Sequence, residues 1–355
     1  MDLLMAFKHT LSKDEGFIQS KNTQTPDALE LTKILERVEI DTSLRVVELK
    51  KVSKASYKLK AEEGEFLLKT CPEWGNFAGW LSRFLIGSSI PFKTDIAVNA
   101  ALARKRHFKA FSVPPLCYTD GKTYLVLRYV PGVPGWDRQV IPVETFVKGL
   151  IEFQTSSLKW SSTLMEQFGS ALLEKPVFKI TKGSLTCVHT RLGYKATWKC
   201  FMVLWKCYRS QPRLNCDILL HNDLELNNIV TGLDERLYFI DFEDVIHENR
   251  WILCDIVDLS FDLNSLAFDR TLFGRYLKRL SAHVSGLDNV NIVSQIRLAL
   301  LRRIIFGLRS RKLSSASKRS CEHFLCSVLL DDKAFNCWYD LNVPIGRIEP
   351  DVLVE

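Results

Sequence analysis

Apolar and polar residues alternate in two different ways along the chain. Between residues 40 and 130, short β-rich runs predict strands at 46–49, 57–61, 65–69, 116–118 and 124–127, with a helix at 95–108. Farther on, helical periodicity dominates at roughly 142–155, 160–173, 192–210, 268–285 and 291–309. The pattern predicts an α+β, two-lobed fold: a small, five-stranded antiparallel N-lobe with one helix, and a larger, mainly helical C-lobe.

The same pattern sets the expected domain boundaries. Residues 1–40 are polar and are predicted to form an extension with a short helix near 28–37, ahead of an N-lobe over 41–130. The C-lobe is expected over 131–345, followed by a tail at 346–355. At the junction, residues 130–135 contain two prolines and two glycines, which predicts a hinge.

Composition changes this picture little. Hydrophobic residues make up 46% and charged residues 25% of the 355 residues, as in an ordinary globular protein. No apolar run reaches the length of a spanning helix, and the first residues lack the features of a signal peptide. The ten cysteines include no Cys-x-x-Cys pair, which favours reduced thiols. The expected location is therefore cytoplasmic.

Candidate chemistry lies at the ends of two apolar runs. In Leu219–Val230 the chain carries Asp223 and, five residues later, Asn228, and Asp241 directly follows the run at 237–240. Phosphoryl transfer from ATP needs one carboxylate to orient the acceptor hydroxyl, and a carboxamide with a second carboxylate to hold Mg²⁺. The spacing matches the kinase catalytic loop H-x-D-x-x-x-x-N and the metal-binding D-F-x. A hairpin with Asn227-Asn228 in its turn is the simpler alternative, but it explains neither aspartate.

Each of these residues has an expected role. Asp223 would accept the proton of the acceptor hydroxyl, and Asn228 and Asp241 would ligate Mg²⁺. His221 is expected to support the loop by hydrogen bonding. Asp255 opens an apolar, helix-like run, where it would either brace the catalytic loop or serve as an N-cap, and Asp258 competes for that role.

ATP contacts are predicted in the N-lobe. Lys69 ends an apolar strand and fits a lysine that contacts the phosphates, with Asp95 on the next helix as its partner. A phosphate-covering loop is expected at residues 51–56. That loop has no glycine, and its small residues Ser53, Ala55 and Ser56 are the candidates for close backbone approach to phosphate.

These motifs resemble the aminoglycoside phosphotransferase and choline kinase group of small-molecule kinases, which share the protein-kinase-like fold. The resemblance rests on residues 221–229 and 240–243 and implies ATP and Mg²⁺ as nucleotide and metal. Glu243 stands where protein kinases have the Gly of D-F-G, and no A-P-E motif follows. Both departures argue against a eukaryotic-type protein kinase.

A narrower resemblance lies upstream, to the lipopolysaccharide core kinases that phosphorylate Kdo or heptose at the inner membrane face. It rests on an aromatic insert at 74–85, on the helix that carries Asp95, where that family has Glu, and on Val113-Pro114-Pro115. The insert has a helical stripe of apolar residues at 77, 80, 81, 84 and 85. Such a stripe fits a membrane surface or packing on its own lobe, and both interpretations stay open.

A basic block bears on the same question. Between residues 297 and 319 there is no acid, and the basic residues are Arg297, Arg302, Arg303, Arg309, Arg311, Lys312, Lys318 and Arg319. The block is either a solvated helix face or an attraction for phosphate or anionic lipid. Aromatic residues do not interleave with it, so no nucleic acid is expected as a partner.

The sequence thus predicts an ATP- and Mg²⁺-dependent phosphotransferase acting on a hydroxyl. A sugar of a lipid-linked glycan, such as a lipopolysaccharide core, is the first expectation for the acceptor, with a peripheral contact to the inner face of an anionic membrane. The alternatives are a soluble kinase of the aminoglycoside or choline type and a pseudokinase-like binding scaffold.

Overall fold

The computed structural model describes thirteen stretches of the chain. They are residues 28–52, 56–70, 91–104, 108–121, 123–155, 176–211, 214, 218–243, 245–248, 251–284, 287, 289–310 and 312–343. The candidates Ser53 and Ala55, the insert at 74–85, the helix predicted at 160–173, Arg311 and the tail at 346–355 lie outside them. The chain divides into two units, the first formed by residues up to 85 and by 114–129, and the second by 86–113 and 130–355.

The first unit is built on an antiparallel sheet. Its elements are α1 (Ala28–Thr42), β1 (Val46–Lys51), β2 (Ser56–Ala61), β3 (Gly64–Thr70), β4 (Leu116–Thr119) and β5 (Tyr124–Arg128). The strand order is β1-β2-β3-β5-β4, so the last hairpin joins the sheet beside β3. Gly64, with a φ of 133°, makes the tight turn between β2 and β3 that a side chain would strain. The five strands predicted from alternation are confirmed.

Helix α1 belongs to this unit. Its apolar residues Leu31, Ile34 and Val38 are buried at helical spacing in one cluster with Leu59 and Phe66 of the sheet. The predicted extension over 1–40 therefore contains a helix that forms part of the core. The period of 3.6 places these side chains on one face of α1, and that face packs in the cluster.

The second unit is mainly helical. Its helices are α2 (Pro91–Arg104), α3 (Val143–Thr155), α4 (Pro176–Ser210), α5 (Cys254–Ser260), α6 (Arg270–Leu280), α7 (Asn289–Arg309), α8 (Ser315–Phe324) and α9 (Asp332–Asn342), with a π-helical turn at Leu325–Leu329. Its strands are β6 (Gly132–Pro134), β7 (Ile218–Leu220), β8 (Ile229–Gly232), β9 (Leu237–Phe239) and β10 (Ile246–Glu248). Among the described helices, none has both the length and the apolar character needed to cross a bilayer.

Two elements differ from the sequence interpretation. The helix expected within the N-lobe, α2, groups with the second unit. The segment predicted as a hinge contains β6, which pairs antiparallel with β8. Gly132 permits that pairing, because a Cβ there would lie 2.3 Å from the carbonyl oxygen of Thr231. The pattern of prolines and glycines indicated a break but gave no sign of a close strand partner.

The packing of α1 can be tested with two leucine-sized residues on the same helix. Leu31 is 2% exposed and Ile40 is 77% exposed. Leu31→Ala should lower the free energy of unfolding by about 2–5 kcal/mol, because it removes buried methyl groups and leaves a cavity. Ile40→Ala, the matched control, should change it by less than about 0.5 kcal/mol. Urea unfolding followed by circular dichroism measures both, and equal small effects would show that α1 is not part of the core.

Candidate active site

Asp223 and Asn228 are placed by a loop between two buried strands. All three residues of β7 are buried, and β7 pairs with β10, so the loop that begins at His221 follows a buried, paired strand. A single 3₁₀ turn, Leu226–Asn228, then leads into β8. The Nδ2 atom of Asn228 donates to the backbone carbonyl of Asp223 at 2.7 Å and to its carboxylate at 3.1 Å. These two bonds orient the amide and leave its oxygen as the atom that can ligate a cation.

The β8–β9 hairpin brings the second motif to the same loop. Its turn lies at residues 233–236, so Asn227-Asn228 is not the hairpin turn considered as the alternative. The N–H of Ile240 donates to the carbonyl of Asn228 at 3.0 Å. Asp241 follows directly, with a φ of 66°. Asn222, just before Asp223, also has a positive φ, of 62°. Non-glycine residues in this region cost free energy and are concentrated at functional sites.

Three carboxylates converge at the second motif. One oxygen each of Asp95, Asp241 and Glu243 lies within 4.8 Å of the other two. Asp95 is fully buried, and its Oδ1 accepts the N–H of Phe242 at 3.1 Å and Nδ2 of Asn99 at 2.8 Å. Helix α2 is thereby tied to the D-F-E motif. Hard oxygen donors in this number fit Mg²⁺.

Asp255 lies beneath the loop that carries Asp223. Its carboxylate accepts the backbone N–H groups of His221 and Asn222, each at 2.8 Å, and Nε2 of Gln154 at 3.2 Å. Burial raises the pKa of Asp255, and the His221 ring and the two backbone donors oppose that rise. Asp255 therefore binds loop backbone rather than capping its own helix; no side-chain cap bond is present at the start of α5.

A buried polar chain continues from this carboxylate. The hydroxyl of Tyr276, on α6, donates to Oε1 of Gln154 at 2.6 Å, and Gln154 in turn donates to Asp255. Both Tyr276 and Gln154 are fully buried. His221 is also buried, and its Nε2 lies 2.9 Å from the carbonyl of Ile240, the residue before Asp241. The ring thus links the loop to the D-F-E motif.

Helix α7 holds the loop from another side. Arg302 forms a buried ion pair with Asp258 at 2.6 Å and also donates to the carbonyl of Asn222. Although burial lowers the pKa of Arg302, the Asp258 carboxylate raises it overall, so the guanidinium stays charged. Next to it, Arg303 pairs with Glu225 of the loop at 2.8 Å. Asp258 therefore serves Arg302, while Asp255 serves the loop backbone.

These contacts correct the interpretation of the basic block as one cationic surface. Arg297 and Arg302 are buried, and Arg297 is bound to Asp332 and to the carbonyl of Leu329. Together with Arg303, they are internal ion-pair residues. Arg309, Lys312 and Arg319 are the exposed members among the described residues, and Lys318 is half-buried.

The first unit carries the predicted nucleotide contacts. Lys69 is only 8% exposed at the end of β3, so it is not an ordinary solvated lysine. In the sheet register it lies opposite Ser56 on β2 and Leu125 on β5. Ser56 is the one described member of the small-residue set predicted to cover phosphate. The pairing of Lys69 with Asp95 stays a prediction.

Solved structures show which fold this is. The chain is similar to the streptomycin–ATP ternary complex of APH(2'')-IIa, with a TM-score of 0.53, 13% identity, and coverage of 88% of this chain and 98% of that one. Choline kinase LicA from Streptococcus pneumoniae gives a TM-score of 0.52 and 12% identity, over 84% and 98% of the two chains. The ADP-bound aminoglycoside phosphotransferase APH(2'')-Ib gives 0.52 and 13%, over 84% and 96%. The fold is the kinase-like fold of these phosphotransferases.

The sequence comparisons add no family. No protein-family model matches the chain, and no curated protein matches it. The narrower resemblance to lipopolysaccharide core kinases is not carried by the similar structures and stays a prediction. The expected kinase-like fold is confirmed.

Several residues of the site were missed from sequence. Glu243 joins the carboxylate cluster, and its position two residues after Asp241 was the available signal. Arg302 and Arg303 were assigned to a surface, since nothing in a run of basic residues marks which ones have buried partners. Gln154 and Tyr276 are far apart in sequence and carry no motif.

The buried ion pair between Arg302 and Asp258 gives a test of stability. Arg302→Met leaves Asp258 charged and unpaired, so unfolding should become easier by about 3–5 kcal/mol. The double variant Arg302→Met/Asp258→Leu should recover much of that loss, because no buried charge remains. Arg309→Met, exposed on the same helix, is the control and should be nearly neutral. Urea titration of the wild type, Arg302→Met, Asp258→Leu and the double variant gives the coupling, with Arg309→Met titrated beside them, and additive effects would exclude the pair.

Proposed function

We propose that this protein is an ATP-dependent phosphotransferase that moves the γ-phosphate to a hydroxyl group. The observation that carries the proposal is the joint placement of Asp223, Asn228 and Asp241 by one loop and one hairpin of the second unit. The shared fold with phosphotransferases supports it. Phosphoryl transfer depends mainly on positioning and charge stabilisation, and this loop is held on several sides.

Asp223 is proposed to act on the acceptor. It is exposed, whereas Asp95 and Asp255 are buried and Asp241 is half-buried. Asn228 donates to its carboxylate and thereby fixes one oxygen, so the carboxylate can orient an acceptor hydroxyl and take its proton. Positioned acid–base groups of this kind contribute about 10²–10⁴-fold to rate.

The carboxylates of the D-F-E motif fit the metal requirement. Asp241 and the amide oxygen of Asn228 are the proposed Mg²⁺ ligands, and Glu243 and Asp95 add negative charge beside Asp241. When bound, Mg²⁺ neutralises charge on the transferred phosphates. Asp95 also fixes the backbone of Phe242, so its loss would disturb the orientation of Asp241 as well.

Lys69 and Ser56 are the proposed phosphate contacts of the first unit. Lys69 is buried near the end of β3, and its ammonium group can donate charge-assisted hydrogen bonds to phosphate oxygens. The backbone of β2 and β3 holds the two residues directly opposite each other. Ser53 and Ala55 complete the proposed phosphate-covering loop.

For the acceptor, we propose a sugar hydroxyl of a lipid-linked glycan such as a lipopolysaccharide core. The exposed Arg309, Lys312 and Arg319 support an anionic, membrane-displayed substrate. A soluble amino-alcohol or aminoglycoside is the second candidate. It is favoured by the similar structures, which include an APH(2'')-IIa complex with streptomycin and ATP and a choline kinase.

The metal role is tested by Asp241→Asn. The variant removes one negative ligand, so Mg²⁺-dependent ATP turnover should fall by more than about 10²-fold while the thermal unfolding curve stays unchanged. Asp340→Asn, an exposed aspartate on α9, is the control and should keep full turnover. Turnover of the Asp241 variant at the wild-type rate would remove this residue from the mechanism.

Asp223→Asn separates acceptor chemistry from nucleotide binding. The new side chain still offers an oxygen to Asn228, so the loop should stay in place while kcat drops by about 10²–10⁴-fold. ATP affinity, measured by calorimetry, should be close to that of the wild type. Lys69→Ala should instead weaken ATP binding. An unchanged kcat in the first variant would contradict the assignment.

The acceptor is tested by radiolabelled phosphate transfer. Purified protein is offered Mg²⁺-ATP with a lipid-linked core glycan, with the deacylated glycan, and with aminoglycosides and amino-alcohols. Transfer to either glycan supports the first candidate, and transfer only to the soluble amines supports the second. ATP binding with neither transfer to any acceptor nor slow hydrolysis of ATP would favour the scaffold alternative.

A further inference from the structure

Helix α4 exposes an aromatic face that the site does not use. Gly193 interrupts the helix with φ 79° and ψ −179°, and after it Tyr194, Trp198, Met202 and Trp205 follow one another on one side. Their exposed fractions are 69%, 53%, 46% and 43%. Phe201 lies between the two tryptophans, stacked on each. We call these five residues the aromatic ridge.

The ridge is not the core side of the helix. Cys200, Leu204 and Cys207 are buried on the opposite face, and α4 packs against α7. Core packing therefore accounts for one face only. Four large side chains exposed in line within a dozen residues are unusual on a surface that faces only water.

Basic residues border the ridge. The segment 176–210 contains no Asp or Glu. Lys195 and Lys199, one turn apart, are exposed along one side of the ridge, and Arg209 lies over the ring of Trp205 at 5.1 Å. The described carboxylates that pair with α4 are both neutralised there: Glu322 by Arg191 at 2.6 Å and Asp332 by Lys206 at 2.9 Å.

The border continues onto α8. Glu322 binds Arg191, so this part of α8 lies beside the start of the ridge helix. Lys318 and Arg319 precede Glu322 by four and three residues, which places them on the same side of α8. The exposed Arg319 and the half-buried Lys318 therefore lie on the side of α8 that binds Arg191 of α4.

We propose that the aromatic ridge docks the protein on an anionic lipid surface. Trp, Tyr and Met side chains enter the boundary between headgroups and acyl chains, and lysines beside them attract anionic headgroups. A second copy of this chain fits poorly, because facing ridges would bring their lysines together. This proposal rests on the lipid-linked acceptor proposed above, because docking would confine the protein to the surface that displays that acceptor.

The test is flotation of the full chain with vesicles, without ATP or acceptor. Wild-type protein should float with phosphatidylglycerol–phosphatidylcholine vesicles at low salt, less at high salt, and little with phosphatidylcholine alone. Lys195→Gln/Lys199→Gln should lower the partition coefficient by about fivefold for each lysine. Trp198→Ser/Trp205→Ser should lower it on the order of tenfold. Lys333→Gln and Leu341→Ser, exposed on α9, are the matched controls and should bind like wild type.

Three results would overturn the proposal. The first is that wild-type protein does not bind anionic vesicles at low salt, and the second is that the control variants lose binding equally. The third is a dimer in sedimentation velocity that the tryptophan variant abolishes, with no binding to vesicles. Thermal shift with Mg²⁺-ATP shows that each variant is folded. A separate assay of Mg²⁺-dependent ATP turnover distinguishes the two proposals: turnover without vesicle binding rejects the docking surface alone, and vesicle binding without turnover rejects the kinase alone.

Discussion

Both backbone polar groups of Asn222 are held by buried charges, and the arrangement of the site depends on this. Its N–H donates to Asp255 and its carbonyl accepts from Arg302. A loop residue with positive φ would ordinarily relax, because its conformation is costly. Here two charge-assisted hydrogen bonds in a buried setting fix it. We call Asp255 and Arg302, which hold Asn222 in this way, the clamp. The next residue is Asp223, so the clamp sets the direction of the carboxylate that is proposed to act on the acceptor.

The clamp joins elements that are distant in sequence. Asp255 opens α5, Arg302 lies on α7, and Gln154 with Tyr276 extends the network to α3 and α6. Because each polar group is buried, losing any one leaves another without a partner. The loop is therefore held by contacts to α3, α5, α6 and α7. In the D-F-E motif, Asp95 likewise fixes the backbone by accepting the N–H of Phe242.

The arginines of α7 show how charge in a sequence differs from charge on a surface. Arg297, Arg302 and Arg303 look alike in sequence to Arg309, yet only the last is exposed among these four. A buried guanidinium is stable only with a carboxylate beside it, and Asp258, Glu225 and Asp332 supply those partners from other elements. Of the basic residues that remain, Arg319 on α8 is exposed and lies one turn before Glu322, which binds Arg191 of α4.

The sequence by itself determined the five strands of the first unit, most of the described helices and the identity of the chemical motifs. Alternation and helical period are local properties, and H-x-D-x-x-x-x-N and D-F-E are contiguous, so Asp223, Asn228 and Asp241 could be found without coordinates. Only the tertiary structure decided that α1 joins the first core, that residues 130–135 pair with β8, and that Glu243 and Asp95 meet Asp241. It also decided which arginines are internal and which face of α4 is exposed. Those outcomes depend on contacts between residues far apart in the chain, and the free energy of burying a charge or an aromatic ring depends on partners that no local pattern contains.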